Sequence, residues 1–148
     1  MTNSALTSQL HLRGGYIIPI QEPAMTLAEA RKNPFTLIVS LSSSGSAVGS
    51  LFLDDGESLN TAANGEYGLF EYSASGSILT AKAAKNGWSS ADALSLAQVN
   101  VLGFPKAPSR LTLNGHPYSK FQYNAAGQEI VVSLNVPINK EWTLQWFM

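Results

Sequence analysis

The run Phe35-Thr36-Leu37-Ile38-Val39-Ser40-Leu41 puts Phe35, Leu37, Val39 and Leu41 on one face at a strict period of two. Such alternation fits a strand with one buried face and does not fit a helix. The pattern recurs along the chain. Val48 to Leu53 reads as a hairpin partner of this run across Ser42-Ser43-Ser44-Gly45-Ser46. Tyr67 to Tyr72 and Ser77 to Ala83 pair across Ser75-Gly76, and Leu96 to Leu102 ends before Gly103 and Pro105. Arg110 to Leu113 runs into Asn114-Gly115, a strong type I′ turn signal. Phe121 to Asn124, Glu129 to Leu134 and Glu141 to Phe147 complete the set. Helical signal is confined to Leu27–Lys32, stopped by Pro34, and to Ser89–Leu94. The expected fold is therefore all-β: an antiparallel β-sandwich of about nine or ten short strands. It occupies residues 11–148 behind a flexible, polar arm at 1–10.

Length and charge narrow what such a body can do. A chain of 148 residues is one domain with room for a real core. Charged residues make up only 13%, and net charge is −1. Polarity comes instead from Ser, Thr, Asn and Gln, which suits a sugar-facing surface. The basic residues are scattered, Arg31-Lys32 being the nearest pair, so a nucleic-acid footprint is missing. No apolar run reaches the roughly 18 residues of a membrane-spanning helix. With no cysteine in the sequence, disulfides and thiolate chemistry are excluded. No cofactor is expected. The first residues do not read as a signal peptide, and the compartment is left open.

Two motifs carry the chemistry. In His11-Leu12-Arg13-Gly14-Gly15-Tyr16-Ile17-Ile18-Pro19 the glycines permit close backbone approach, Tyr16 to Ile18 reads as a buried strand, and Pro19 suits a strand end or sheet edge. In Leu53-Asp54-Asp55-Gly56-Glu57-Ser58, adjacent carboxylates sit on a tight glycine turn. Three readings stand open: a hard-cation site, a pair of sugar-hydroxyl acceptors, or an Asx-type turn in which the aspartates bond local amides. The spacing is not that of an EF-hand.

Together with Gly65-Glu66-Tyr67, Val99-Asn100-Val101-Leu102-Gly103, Leu113-Asn114-Gly115 and the closing Trp142 to Phe147, these motifs resemble the C-terminal β-domains of family 31 glycoside hydrolases, the retaining α-glucosidases. The similarity runs from about residue 11 to the end and lacks the catalytic barrel. In that family, the first motif closes the sheet domain beside the barrel. The segment must then pair elsewhere in this chain or with a second molecule, which suggests a rearranged N-terminus or a homodimer. The family's catalytic aspartates lie on barrel loops, and none of those motifs occurs here, so no catalytic residue is carried over. A retaining pair needs carboxyls about 5–5.5 Å apart around a sugar pocket. Asp54 and Asp55 are successive residues that would point apart on a strand. His116, between Gly115 and Pro117, reads as a turn residue, and no Gly-x-Ser-x-Gly elbow occurs.

The leading expectation is a non-catalytic, lectin-like carbohydrate-binding protein, on the premise that an initiator Met opens a complete chain without a barrel. Its candidate binding residues are Trp88, Tyr118 and Tyr123 as exposed stacking rings, with Asp54 and Asp55 as acceptors. Trp142 and Trp146 share a face with Leu144 and are assigned to the core. The alternative is a structural accessory domain or subunit that braces the catalytic barrel of a family 31 α-glucosidase.

Overall fold

The computed structural model describes residues 11–148; the arm expected at 1–10 lies outside the described residues. Eleven strands form one continuous sheet: β1 Tyr16–Gln21, β2 Phe35–Ser40, β3 Ala47–Leu53, β4 Gly68–Ser75, β5 Ile78–Asn86, β6 Ser95–Leu102, β7 Arg110–Leu113, β8 His116–Tyr118, β9 Phe121–Asn124, β10 Glu129–Pro137 and β11 Trp142–Phe147. Two single-turn helices, α1 Leu27–Ala30 and α2 Thr61–Asn64, and a 3₁₀ turn at Ser89–Ala93 decorate it. The all-β fold is as expected, with strand positions close to those read from the pattern.

The strand order is β8-β7-β11-β5-β4-β3-β1-β2-β6-β10-β9. The sheet curls until its two end strands, β8 and β9, lie one short turn apart in the chain. Both ends are tied to β10 at the point where its register with β6 shifts. There the Tyr118 hydroxyl donates to the Ser133 carbonyl at 2.6 Å, and the Ser133 N–H donates to the Lys120 carbonyl at 3.0 Å. Folding one sheet onto itself gives the two packed layers of a sandwich while leaving few free edges.

The core fills the space between those layers. Leu37, Val39, Phe70, Leu79, Leu96, Val99, Val101, Leu111, Ile130, Val132 and Leu144 are all essentially inaccessible. Phe35, Leu37 and Val39 are buried as the alternation requires, and Trp142 and Trp146 lie in the core. Trp146 meets Phe104 edge to face, with ring centroids 5.4 Å apart.

One expected pairing is corrected. β2 and β3 are not a hairpin; β1 lies between them. It pairs antiparallel with β2 over its whole length, from Tyr16 opposite Ser40 to Gln21 opposite Phe35. It meets β3 in parallel only at Tyr16 and Val48. The Ser42–Ser46 turn is present, with the Ser42 N–H donating to the Ser46 carbonyl at 2.9 Å, but the strands it joins are held apart. The first motif therefore pairs within its own chain. Pro19 lies beyond the single β1–β3 contact, where β1 needs no N–H toward β3. β1 is also not fully buried: Ile17 faces the core, while Tyr16 and Ile18 face outward. His116 belongs to β8, opposite Leu113, because Asn114 and Gly115 alone make the turn with φ of 51° and 80°.

Candidate binding cleft, acidic turn and apolar sheet face

β3 ends at Leu53, and the chain reverses through Asp54-Asp55-Gly56. Gly56 takes a φ of 69°, which favours glycine. Both carboxylates are engaged locally. Asp54 accepts the Gly56 N–H at 2.9 Å on one oxygen and the Thr61 hydroxyl at 2.8 Å on the other. Asp55 accepts the Glu57 and Ser58 N–H groups at 3.1 and 3.0 Å on one oxygen and the Ser58 hydroxyl on the other. This is the Asx-type geometry, and it ties the turn to the start of α2. The Ser58 hydroxyl, then the Ser58 and Glu57 amides, hold the Asp55 carboxyl below its ordinary range, with a smaller contribution from the Arg31 guanidinium. Among the described residues, no group of three or more His, Asp or Glu side chains is placed to hold a metal ion.

Arg31 joins this turn to a second feature. Its guanidinium donates to the Asp55 carbonyl and covers Gly56, so that a side chain at Gly56 would collide with it. Arg31 follows α1, whose first turn is capped by the Thr26 hydroxyl accepting from the Glu29 N–H at 3.2 Å. On its other side Arg31 lines a cleft of about 230 Å³ between α1 and the 3₁₀ turn. Trp88, Ala93, Leu94 and Ala28 supply apolar walls, and Arg31, Lys32 and Ser90 supply polar groups. Trp88 is half-buried and packs against the core.

The fold thus places Trp88, through Arg31, beside the Asp54-Asp55 turn. It does not bring Tyr118 or Tyr123 there. Tyr118 lines a separate shallow depression with Arg110, Pro117 and Phe121, and its hydroxyl is spent on the Ser133 carbonyl. Tyr123 packs on the core, and its hydroxyl donates to the Phe104 carbonyl at 3.0 Å. Arg31 and Lys32 went unrecognised as cleft residues in the sequence. Their only signal was an adjacent basic pair in an otherwise sparsely charged chain.

A third feature lies on the outer surface of the sheet. Cross-strand partners share a face, so Tyr16 with Val48 and Ile18 with Ile38 lie side by side. Val48 is 60% exposed, Tyr16 and Phe52 48%, and Ile18 and Ile20 42%. Phe52 stacks on Tyr67 with centroids 5.1 Å apart. β1, β2 and β3 therefore present several apolar and aromatic side chains on the outer face of the sheet.

No protein-family model matches the chain. Among curated proteins, it is 38% identical over 140 residues to the lysosomal alpha-glucosidase of Mus musculus, a match covering 95% of this chain and 15% of that protein. It is 37% identical over 143 residues to the intestinal sucrase-isomaltase of Homo sapiens, covering 93% of this chain and 8% of that one. This chain is a partial, C-terminal-like relative of the family 31 glycoside hydrolases. Solved family 31 structures share its fold. A glucosidase II alpha subunit superposes with a TM-score of 0.76 at 20% identity, over 91% of this chain and 17% of that one. The Flavobacterium johnsoniae GH31 dextranase gives 0.72 at 14%, over 93% and 19%. The matched region of the family 31 relatives is a small part of each protein and is not the barrel.

Proposed function

We propose that this chain is a non-catalytic accessory β-domain of the family 31 type, docking through the outer face of β1–β3 onto a larger glycosidase body. The exposed side chains of Tyr16, Ile18, Ile20, Val48 and Phe52 carry this reading. Exposed apolar side chains grouped on one face are a feature of interaction sites. The relatives supply a candidate, since this chain spans only 8% to 15% of the length of the two curated proteins compared above. Asp54 and Asp55 bond the amides and hydroxyls of their own turn, a structural role compatible with a non-catalytic domain. In isolation the same face would be open to a second copy, and the homodimer expected from the sequence would use it.

The test is to mix the purified chain with a family 31 catalytic chain from which the matching terminal region has been deleted. A one-to-one complex on size-exclusion chromatography is the expected result. Separate elution overturns docking, and release of glucose from maltose by the chain alone overturns the non-catalytic part.

Sugar recognition is a second reading, favoured by the Trp88 cleft. A half-buried indole beside polar side chains is the arrangement that stacks on the C–H face of a pyranose while its hydroxyls are bonded.

A further inference from the structure

The cleft between α1 and the 3₁₀ turn has an unusual balance of groups. Its walls are apolar, its volume is about 230 Å³, and two of its polar side chains are cations. Arginine and lysine donate hydrogen bonds and accept none. Ser90 is therefore the only lining side chain able to accept a hydrogen bond from a sugar hydroxyl. A neutral sugar, which presents hydroxyl donors as well as acceptors, would find few partners.

One of these charges is unspent and the other only partly engaged. Among the described residues, the only ion pair is Lys82 with Glu71, so Lys32 has no carboxylate partner. Arg31 is bonded to the backbone carbonyl of Asp55, interacts with its carboxylate only through space, as the smallest influence on that group, and keeps further N–H groups for a ligand. The Asp55 carboxylate is turned to its own loop by Ser58 and Glu57. The cleft therefore calls for a ligand that brings acceptors and a negative charge together with an apolar face.

We infer that this cleft binds a uronate: a single carboxylate-bearing pyranose whose ring lies on Trp88 and whose carboxylate meets Lys32 and Arg31. The volume falls below the roughly 300 Å³ at which drug-sized pockets begin, which limits the site to one ring or a chain end. A planar carboxylate matches the guanidinium edge and fixes the ring's orientation. The inference rests on the sugar-recognition reading and is independent of docking, because β1–β3 present a different surface.

The experiment titrates the chain with glucuronate, glucose and acetate, by calorimetry and by tryptophan fluorescence. Trp142 and Trp146 are only 4% exposed or less, so a ligand-dependent emission change reports Trp88. Glucuronate is expected to bind at least tenfold more tightly than glucose or acetate. Lys32→Gln, at an exposed position, should weaken it about tenfold and leave the unfolding midpoint unchanged. Trp88→Phe should keep part of the affinity but lose the emission change. Equal binding of glucose and glucuronate overturns the uronate assignment and leaves sugar recognition standing. Equal binding of acetate and glucuronate shows a bare anion site and overturns the assignment. No response to any sugar overturns both.

Discussion

Gly49 on β3 faces Ile17 on β1 so closely that a methyl group at Gly49 would overlap the Ile17 carbonyl oxygen and come within 2.8 Å of the Ile17 Cβ. This contact lets β1 lie against β3 while it pairs with β2. The obstructing atoms are backbone, and a sheet held on both sides cannot move them away cheaply. Gly49→Ala should therefore cost about 3 kcal/mol, the upper end of the range for overpacking. Urea denaturation followed by tryptophan fluorescence measures it. A loss under about 0.5 kcal/mol would show that β1 does not hold this position.

Asp55 gives the acidic turn a pH signature. Its folded pKa lies below the ordinary value of 3.8 because Ser58 and Glu57 bond the ionised form. A depressed carboxyl contributes stability that is complete above the unfolded value and is lost as pH falls through the folded one. Wild type should lose stability more steeply than Asp55→Asn as pH is lowered from 4 to 2. Denaturant midpoints collected across that range check the prediction. Parallel curves for the two proteins would refute it.

Tyr72 is buried, and its hydroxyl has no hydrogen-bond partner among the described residues. Burial alone pushes its phenol above the ordinary value of 10.0. An orphaned buried hydroxyl costs about 1–3 kcal/mol of desolvation, so Tyr72→Phe should stabilise the fold by about 1 kcal/mol. The pKa adds a second readout. A raised phenol keeps its stabilising neutral state below pH 10 and loses that advantage as pH rises beyond it. The wild-type protein should therefore lose stability above pH 10 more steeply than the phenylalanine variant. Destabilisation by Tyr72→Phe at neutral pH would mean that the hydroxyl has a partner.

What the sequence disclosed, and what it concealed, follows from the range of each interaction. Phe35, Leu37 and Val39 were legible as core residues because a strand's two faces are written at a period of two. Asn114-Gly115 was legible because few other dipeptides accept positive φ at two successive positions. The insertion of β1 between β2 and β3 was not legible, because parallel contact between Tyr16 and Val48 leaves no local pattern. Gly49 was its only trace, a glycine inside an alternating strand, which often marks a close backbone approach. The cleft was half visible. Trp88 stood out in a polar loop, but Arg31 and Lys32 reach it only after Pro34 ends the α1 segment and the chain returns through the sheet. Tyr118 and Tyr123 looked free because sequence cannot show that the carbonyls of Ser133 and Phe104 lie within reach of their hydroxyls.

The apolar outer face separates folding from docking in one variant. Ile18 and Val48 lie on the outer face, and neither is buried. Replacing both with lysine exchanges exposed apolar surface for charge, which changes stability by no more than about 0.5 kcal/mol per site when no partner is present. In an interface the same ammonium groups would be stripped of water without carboxylates to meet them, and burying unpaired charge is prohibitive. The Ile18→Lys, Val48→Lys double variant should unfold at nearly the wild-type urea concentration. It should fail to form a complex with the truncated family 31 chain on size-exclusion chromatography. If it formed the complex as wild type does, the partner would have to lie on another surface, and the docking face assigned to β1–β3 would be wrong.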